Sequence, residues 1–388
     1  MTGSHRDRFV ALHAATADLR RRGAARHGRA FADLGRSEPL DAHLDAHPAP
    51  ATAWAASRRY LPNGGAAEVR ERVARTLGRQ MGLPLQGKHI AIAAGGTAAL
   101  TAALAALAQR GDEVVLPVPH YPPSPSQIEL SGAEPVLVAC DANGRLMPDE
   151  LASAVGPRTA ALLLTSPSNP TGTVYAARDL AALDAVLPRR AGWIVDEAYA
   201  DVAGATHTPA CAAAVLWTSA RDWLVMRTAS KSIGRPGLRV AILVGPPATV
   251  ARAEAVLAFV CGAAGSFGQT AVAAGLAAAA RAGDGNGYAD RLSVALDALG
   301  DGPLEADPPE GGYFLWVRGP ESGAPLGTLA SLERLCTDHG AFVSPGALYG
   351  DPRGVRVSLS STPEALHAGV RRLVAHAASR ERTGAETP

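Results

Sequence analysis

The sequence predicts an α/β protein with two domains: a large one with a mostly parallel seven-stranded sheet, and a smaller α+β one. Three observations support this prediction. The chain has 388 residues, which is long for a single core. Seven short apolar segments alternate with helical segments between residues 89 and 244. Beyond them, a mainly helical stretch is followed by short strands and helices in a different arrangement.

The seven predicted strands of the large domain are apolar on both faces. They span residues 89–94, 113–118, 134–139, 159–165, 193–196, 223–227 and 240–244. Helices are predicted between most of them, for example over 95–109, 149–155 and 177–187. Strands of this kind are typical of a parallel sheet that helices cover on both sides.

The smaller domain is predicted from the C-terminal part of the chain. After a helical run that is interrupted near 262–265, strands are predicted over 312–317, 341–344 and 355–359, and helices over 326–339 and 363–377. The segment before residue 50 is expected to pack on this domain. We therefore predict an N-terminal arm that forms part of the small domain (1–50), a large domain (51–285) and a C-terminal small domain (286–388).

Composition and charge argue against several classes of function. The formal net charge of +1 gives no reason to expect a nucleic-acid or membrane partner. The four cysteines are widely spaced, without a CxxC pair, so no metal site is expected. The N-terminus lacks the apolar run of a signal peptide. These features predict a cytoplasmic globular protein.

The use of lysine points to one position. Lysine occurs only at Lys88 and Lys231, and arginine serves everywhere else. Arginine cannot replace lysine where a primary amine must lose its proton and attack a carbonyl. Lys88 lies in a predicted exposed turn, which explains it without chemistry. Lys231 is therefore the candidate reactive amine.

Polar residues follow several of the predicted strands. In an open α/β sheet, ligands bind at the carboxyl ends of the strands. Small residues that open a helix after a strand let backbone N–H groups approach a phosphate, and a buried carboxylate at a strand end needs a partner. The candidate set is Gly95, Gly96, Thr97, Asn169, Asp196, Tyr199, Thr228, Ser230, Lys231 and Arg239.

Together these residues carry a family resemblance. In order and spacing they resemble the class I/II aminotransferases, the aspartate aminotransferase-like group of fold-type I enzymes that use pyridoxal 5'-phosphate (PLP). The resemblance extends from about residue 60 to residue 360. Its motifs are Gly95-Gly96-Thr97, Pro119-His120-Tyr121, Asn169-Pro170-Thr171-Gly172, Asp196-Glu197-Ala198-Tyr199, Ser230-Lys231 with Arg239, and Arg356.

The resemblance implies roles around the cofactor ring. Lys231 would hold PLP as a Schiff base and move the proton at the substrate Cα. Asp196 would pair with the protonated ring nitrogen. The phenolic oxygen would accept hydrogen bonds from Tyr199 and Asn169, and Tyr121 would stack on the ring.

The resemblance also implies roles at the two ends of the site. The phosphate would be held by Gly95, Gly96, Thr97, Thr228, Ser230 and Arg239. Tyr60 matches a tyrosine that reaches the phosphate of the neighbouring subunit, which implies a homodimer. Arg356 would grip the substrate α-carboxylate. Asn169 is also expected near the substrate, and Gly35 matches loosely a segment that passes over it.

The reaction and substrate remain open at this stage, because one fold serves several PLP reactions. Transamination between an amino acid and a 2-oxo acid is the leading hypothesis. The alternative is a PLP lyase or cyclase of specialised metabolism, acting by β- or γ-elimination, replacement, or capreomycidine-forming cyclisation; a non-catalytic binding domain is disfavoured. Members of the family that are specific for dicarboxylates often bring an extra arginine from the neighbouring subunit, in the region between the lysine strand and the linking helix. Residues 253–280 contain no Arg or Lys, so the resemblance implies a non-acidic (neutral or basic) amino acid. The N-terminal segment and residues 120–127 and 262–268 are expected to line its pocket.

Overall fold

The computed structural model describes residues 4–35, 58–202, 211–282, 287–320 and 325–385. Within these residues the strands are β1 (Ala32–Asp33), β2 (Ile90–Ala93), β3 (Glu113–Val118), β4 (Glu134–Ala139), β5 (Thr159–Thr165), β6 (Gly192–Asp196), β7 (Trp223–Thr228), β8 (Ala241–Val244), β9 (Glu305–Ala306), β10 (Phe314–Arg318), β11 (Ala341–Phe342), β12 (Ser344–Pro345) and β13 (Gly354–Ser358).

The α-helices of the same residues are α1 (His5–His27), α2 (Ala67–Met81), α3 (Gly96–Leu107), α4 (Ser124–Leu130), α5 (Pro148–Ala154), α6 (Ala177–Val186), α7 (Ala212–Leu216), α8 (Ala229–Ser232), α9 (Pro247–Val260), α10 (Ser266–Ala282), α11 (Tyr288–Leu299), α12 (Leu329–Arg334) and α13 (Pro363–Ala385). A π-helical turn, Leu335–His339, continues α12. In the described part of the chain, no helix is long and apolar enough to cross a membrane.

Strands β2 to β8 form one seven-stranded sheet in the order β2-β8-β7-β6-β5-β3-β4. Neighbouring strands are parallel except where β8 pairs, antiparallel, with β2 and β7. The predicted mostly parallel, seven-stranded sheet is therefore confirmed. Each observed strand differs from its prediction by at most one residue at either end.

Helices cover both faces of this sheet, because alternate strand residues point to opposite sides. On one side, Ile194 and Leu224 are buried against α3 and α9. On the other side, Trp193 and Val225 are buried against α2, α6 and α10. Since both faces are apolar, the polar chemistry of the sheet is confined to its strand ends.

A smaller α+β unit completes the fold. Its sheet has the order β12-β13-β10-β9 with antiparallel neighbours, and β1 pairs in parallel with β11. Leu19, Leu34, Leu292, Leu332 and Leu366, from α1 through α13, share one buried cluster around these strands. The described part of the N-terminal segment, residues 4–35, thus packs on this unit, while the domain boundaries at residues 50 and 285 stay predictions.

The single strand predicted over 341–344 is wrong. The chain changes sheets at Val343, so that β11 pairs with β1 and β12 pairs with β13. Helix α4 was not predicted from the sequence, and α1 contributes residues to the site described next.

Candidate active site

A cavity of about 520 Å³ opens at the carboxyl ends of β5, β6 and β7. Thr165, Asp196 and Thr228 lie at these three strand ends and line it. The cavity also brings together nearly all the residues predicted for the site, namely Gly35, Gly96, Thr97, Tyr121, Asn169, Asp196, Tyr199, Thr228, Ser230, Lys231, Arg239 and Arg356.

One end of the cavity is built to hold an anion. Gly96 and Thr97 form the first turn of α3, whose N–H groups have no intrahelical acceptors. Gly95 has a φ of +94°, and a Cβ there would lie 2.6 Å from Nη2 of Arg239. Glycine therefore lets the guanidinium lie against the start of the helix, although Gly95 itself does not line the cavity.

Lys231, the candidate reactive amine, follows β7 on the short helix α8. Thr228 caps this helix, because its Oγ1 accepts a hydrogen bond from the Ser230 N–H at 3.2 Å. Lys231 then extends between two aromatic rings, with its Nζ 5.6 Å from the ring centroids of Tyr199 and Tyr313. The hydroxyl side chains and the amine thus reach the cavity from one tight turn.

Asp196 is a buried carboxylate on the cavity wall, with 6% of its surface exposed. Burial raises its pKa to about 6; the Ala198 N–H, which donates to Oδ1 at 2.9 Å, lowers it, the charge of Glu197 raises it, and Lys231 lowers it. A carboxylate in this position is stabilised by a cation in the cavity.

Two tyrosines present neutral phenols to the cavity. Burial raises the pKa of both Tyr199 and Tyr121, so each hydroxyl keeps its proton and can donate it. Tyr199 is fixed by edge contacts with Tyr313 and Phe314, whose ring centroids lie 5.5 and 5.4 Å away.

Arg356 lies on β13 and lines the cavity. Its Nη1 donates to Oδ1 of Asn169 at 3.0 Å, and its Nη2 donates to the Gly35 carbonyl at 3.1 Å. The guanidinium carbon lies 3.9 Å from the ring centroid of Phe314. Its Nε is buried without a hydrogen-bond partner among the described residues. This orientation leaves a donor for a carboxylate.

Comparison with known proteins agrees with this geometry. The family described as aminotransferase class I and II matches residues 31–373. The chain belongs to this family. Aspartate aminotransferase of Geobacillus stearothermophilus is 29% identical over 331 residues, which cover 81% of this chain and 82% of the relative. The arginine–pyruvate transaminase of Pseudomonas aeruginosa is 28% identical over 84% of both chains. A mutant aspartate aminotransferase of Thermus thermophilus superposes with a TM-score of 0.81 at 25% identity, over 97% of both chains.

The protein is therefore an enzyme of the PLP-dependent aminotransferase class. The alternative of a lyase or cyclase is not favoured. The residues of the cavity fit the cofactor: the start of α3 with Arg239 suits a phosphate, and the buried Asp196 suits a protonated ring nitrogen. Lys231 is the only lysine in the sequence besides Lys88.

Tyr60 is the predicted residue that lies away from the cavity. Its side chain is fully exposed and does not line the cavity of its own chain. A role in the site would need a second copy of the chain.

Helix α1 forms a wall of the cavity, as expected for the N-terminal segment, although its individual residues were not predicted. Phe9, His13, Thr16, Ala17 and Arg20 all line it. Their spacing of four, three, one and three residues places them on one face of a helix, which was the available signal. Three further residues of the α+β unit complete this wall, namely Phe342, Leu348 and Tyr349.

The expected pocket wall at residues 262–268 is wrong for a single chain, because these residues do not line the cavity. Tyr121, Pro122 and Pro123 do line it, as expected for the 120–127 segment. That segment enters α4 at Ser124, so the proline run ends in a helix rather than in a longer loop.

Proposed function

We propose that the enzyme transfers an amino group between a non-acidic amino acid, neutral or basic, and a 2-oxo acid. The supporting observation is the distribution of positive charge on the cavity wall. In the described part of one chain, the arginines and lysine that line it are Arg20, Lys231, Arg239 and Arg356. Three of them have tasks toward the cofactor or the α-carboxylate, and Arg20 forms an ion pair with Asp33. A second substrate carboxylate would therefore lack a counter-charge.

The proposed roles follow from the contacts in the cavity. PLP, when bound, supplies an electron sink for the bond broken at the substrate Cα. Arg356 binds the α-carboxylate, and its packing on Phe314 and its bond to Asn169 fix the guanidinium plane. Lys231 moves the proton at Cα. Tyr199 holds its proton and donates a hydrogen bond toward the cofactor.

We also propose a homodimer with shared active sites. Tyr60 is fully exposed, and Phe259 and Phe267 are exposed by 92% and 38%. The chain that follows Tyr60 lies beside α10, because the Ala66 N–H donates to Oε1 of Gln269 at 2.9 Å. It also lies beside α9, because a Cβ at Gly64 would lie 2.5 Å from Cδ of Glu254. Exposed apolar residues on neighbouring segments of this kind are typical of a subunit interface. A cytoplasmic location stays a prediction from the sequence.

Single-turnover reactions test the substrate class. We expect PLP-loaded enzyme, mixed with one amino acid and no 2-oxo acid, to lose its visible absorption band and release the matching 2-oxo acid when the amino acid is neutral or basic. Aspartate and glutamate should react at least about tenfold more slowly, since an unpaired buried charge is costly. The Lys231→Ala variant is the control and should show no reaction. Equal rates with aspartate would refute the proposed specificity, and ammonia release with the band retained would refute transamination.

A further inference from the structure

An ion pair lies behind the cavity, on the opposite face of the large sheet. Asp196, Met226 and Thr228 line the cavity, whereas the adjacent residues Glu197 and Arg227 do not. This follows from the alternation of side chains along extended backbone. Glu197 and Arg227 are 1% and 7% exposed, so the pair is a buried layer under the floor of the site.

The pair joins several elements. Nε and Nη2 of Arg227 donate to Oε2 of Glu197 at 3.1 and 2.8 Å, and Nη1 donates to Oδ1 of Asp201 at 2.7 Å. The other carboxylate oxygen of Glu197 accepts from the Ala212 N–H at 2.7 Å. The backbone N–H of Glu197 donates to the Met226 carbonyl at 2.9 Å. The pair therefore connects the ends of β6 and β7 to the start of α7.

Stability does not explain this arrangement well. Removing two charges from water offsets most of the attraction between them, and an apolar pair of similar volume often serves a fold equally well. The position of the pair suggests an electrostatic task instead. Glu197 directly follows Asp196 in the sequence, so two buried carboxylates lie on consecutive residues.

Asp196 responds to these neighbours. Burial raises its pKa to about 6, the Ala198 N–H lowers it, the charge of Glu197 raises it, and Lys231 lowers it. The other titratable groups that interact with it across the cavity are Tyr121 and Tyr199. The negative charge of Glu197 favours the protonated form of Asp196. A positive charge beside Glu197 therefore reduces this effect.

We propose that Arg227 is a positioning residue that keeps Asp196 ionised from beneath the floor of the cavity, because it neutralises the neighbouring charge of Glu197. The inference rests on the proposed role of Asp196 toward the cofactor ring. Asp196 binds a protonated ring nitrogen only when it is ionised, so cofactor affinity falls as the pH drops through the pKa of Asp196.

Opposite shifts are expected from the two single substitutions. Arg227→Met leaves Glu197 charged and unpaired, so the pH at which cofactor affinity falls should rise by about one unit. Glu197→Gln removes the neighbouring negative charge and leaves Arg227 in place, so this pH should fall by about one unit. The double variant removes both charges. Asp201 also loses its partner in this variant, but Glu197 is the carboxylate whose charge raises the pKa of Asp196, so the value should return close to that of the wild type. A merely structural role would move both single variants in the same direction.

The probe is pyridoxamine 5'-phosphate, which binds without a covalent bond to Lys231. Its dissociation constant is measured by equilibrium dialysis between about pH 5 and pH 8, together with the unfolding temperature of each variant. The phosphate of the probe titrates in every experiment, so the readout is the difference between variants. The matched control is Arg221→Met, because Arg221 is a part-buried arginine before β7 that pairs with Asp184. We expect this variant to unfold more easily without a shift in the binding profile.

Shifts of the same sign in Arg227→Met and Glu197→Gln would overturn the inference, as would a double variant that behaves like Arg227→Met. If Arg227→Met does not fold, Arg227→Lys replaces it: retained charge should leave the binding profile within about 0.3 unit of the wild type, and a one-unit shift would overturn the inference. Asp196→Asn separates the two hypotheses. If it leaves probe affinity and its pH profile unchanged, the proposed role of Asp196 fails, whatever the other variants show.

Discussion

At the scale of single residues, Asp196 lowers the free energy of unfolding of the cofactor-free protein at neutral pH. Its carboxylate is 6% exposed, and burial raises its pKa to about 6 from an ordinary value of 3.8. The folded chain thus binds this proton more tightly than the unfolded chain. The stability that Asp196 contributes is fully present below about pH 4 and is lost as the pH rises through 6. At neutral pH, the ionised carboxylate destabilises the cofactor-free protein by about 2–3 kcal/mol.

Asp196→Asn should therefore stabilise the cofactor-free protein at pH 7 while it weakens PLP binding. The amide can still accept the bond from the Ala198 N–H, and it carries no charge to desolvate. We expect the free energy of unfolding to rise by about 2 kcal/mol at pH 7 and to change little near pH 4. Urea unfolding at both pH values measures this. An equal gain at both would show that the charge is not the cause.

The residues of the site differed in how far the sequence could predict them. Asp196, Thr228 and Lys231 follow predicted strands directly, so strand-end reasoning places them in one site. The role of Arg356 came from the family resemblance, since nothing local marks it. The N-terminal segment was expected at the pocket, but Phe9 and the other cavity residues of α1 were not singled out, because the helix face that covers the cavity depends on packing against distant elements.

At the scale of elements, α1 connects the two parts of the fold. At its start, the N–H groups of His5 and Arg6 donate to the carboxylate of Glu129 on α4, at 3.0 and 3.2 Å. At its end, Nε2 of His27 lies 2.9 Å from the Thr337 carbonyl in the α+β unit. A carboxylate at a helix N-terminus satisfies free N–H groups and favours the helix dipole. Glu129 therefore fixes the end of α1 that carries Phe9 to the cavity.

Glu129→Gln should loosen the start of α1. The amide offers one acceptor oxygen instead of two and no charge, so we expect a loss of about 0.5–1 kcal/mol and faster amide hydrogen exchange over residues 5–12. Hydrogen exchange with mass spectrometry measures the change. Glu134→Gln is the matched control, because Glu134 is an exposed carboxylate on β4 that pairs with Arg158. Equal exchange in both variants would contradict the role of Glu129.

The sequence predicted best the elements that are buried on both faces. It predicted poorly a helix that buries few residues and strands that are only two residues long. The central strands β5, β6 and β7 are buried on both faces, so a continuous apolar run marks each one. Helix α1 buries only Thr16, Leu19 and Gly23, which leaves no apolar stripe in the sequence. The short strands β11 and β12 are two residues each, and their sheets are chosen by partners far along the chain.

At the scale of the whole molecule, the proposed dimer explains why Tyr60 lies outside the cavity of its own chain. If Tyr60 serves the partner's site, a heterodimer of one Tyr60→Phe chain and one Lys231→Ala chain contains one intact site, made of Lys231 from the first chain and Tyr60 from the second. Its other site carries both changes. If Tyr60 serves its own chain, neither site of this heterodimer is intact.

The two cases predict different activities for the heterodimer, purified by two affinity tags. The Lys231→Ala homodimer should be inactive, and the Tyr60→Phe homodimer should lose about tenfold at limiting PLP, as expected for one hydrogen bond to a charged group. With shared sites, the heterodimer should regain about half of the wild-type activity per dimer, well above either parent. With Tyr60 acting in its own chain, it should reach only half of the Tyr60→Phe activity. Because each chain alone carries a defect, activity above both parents can come only from a site that two chains build together.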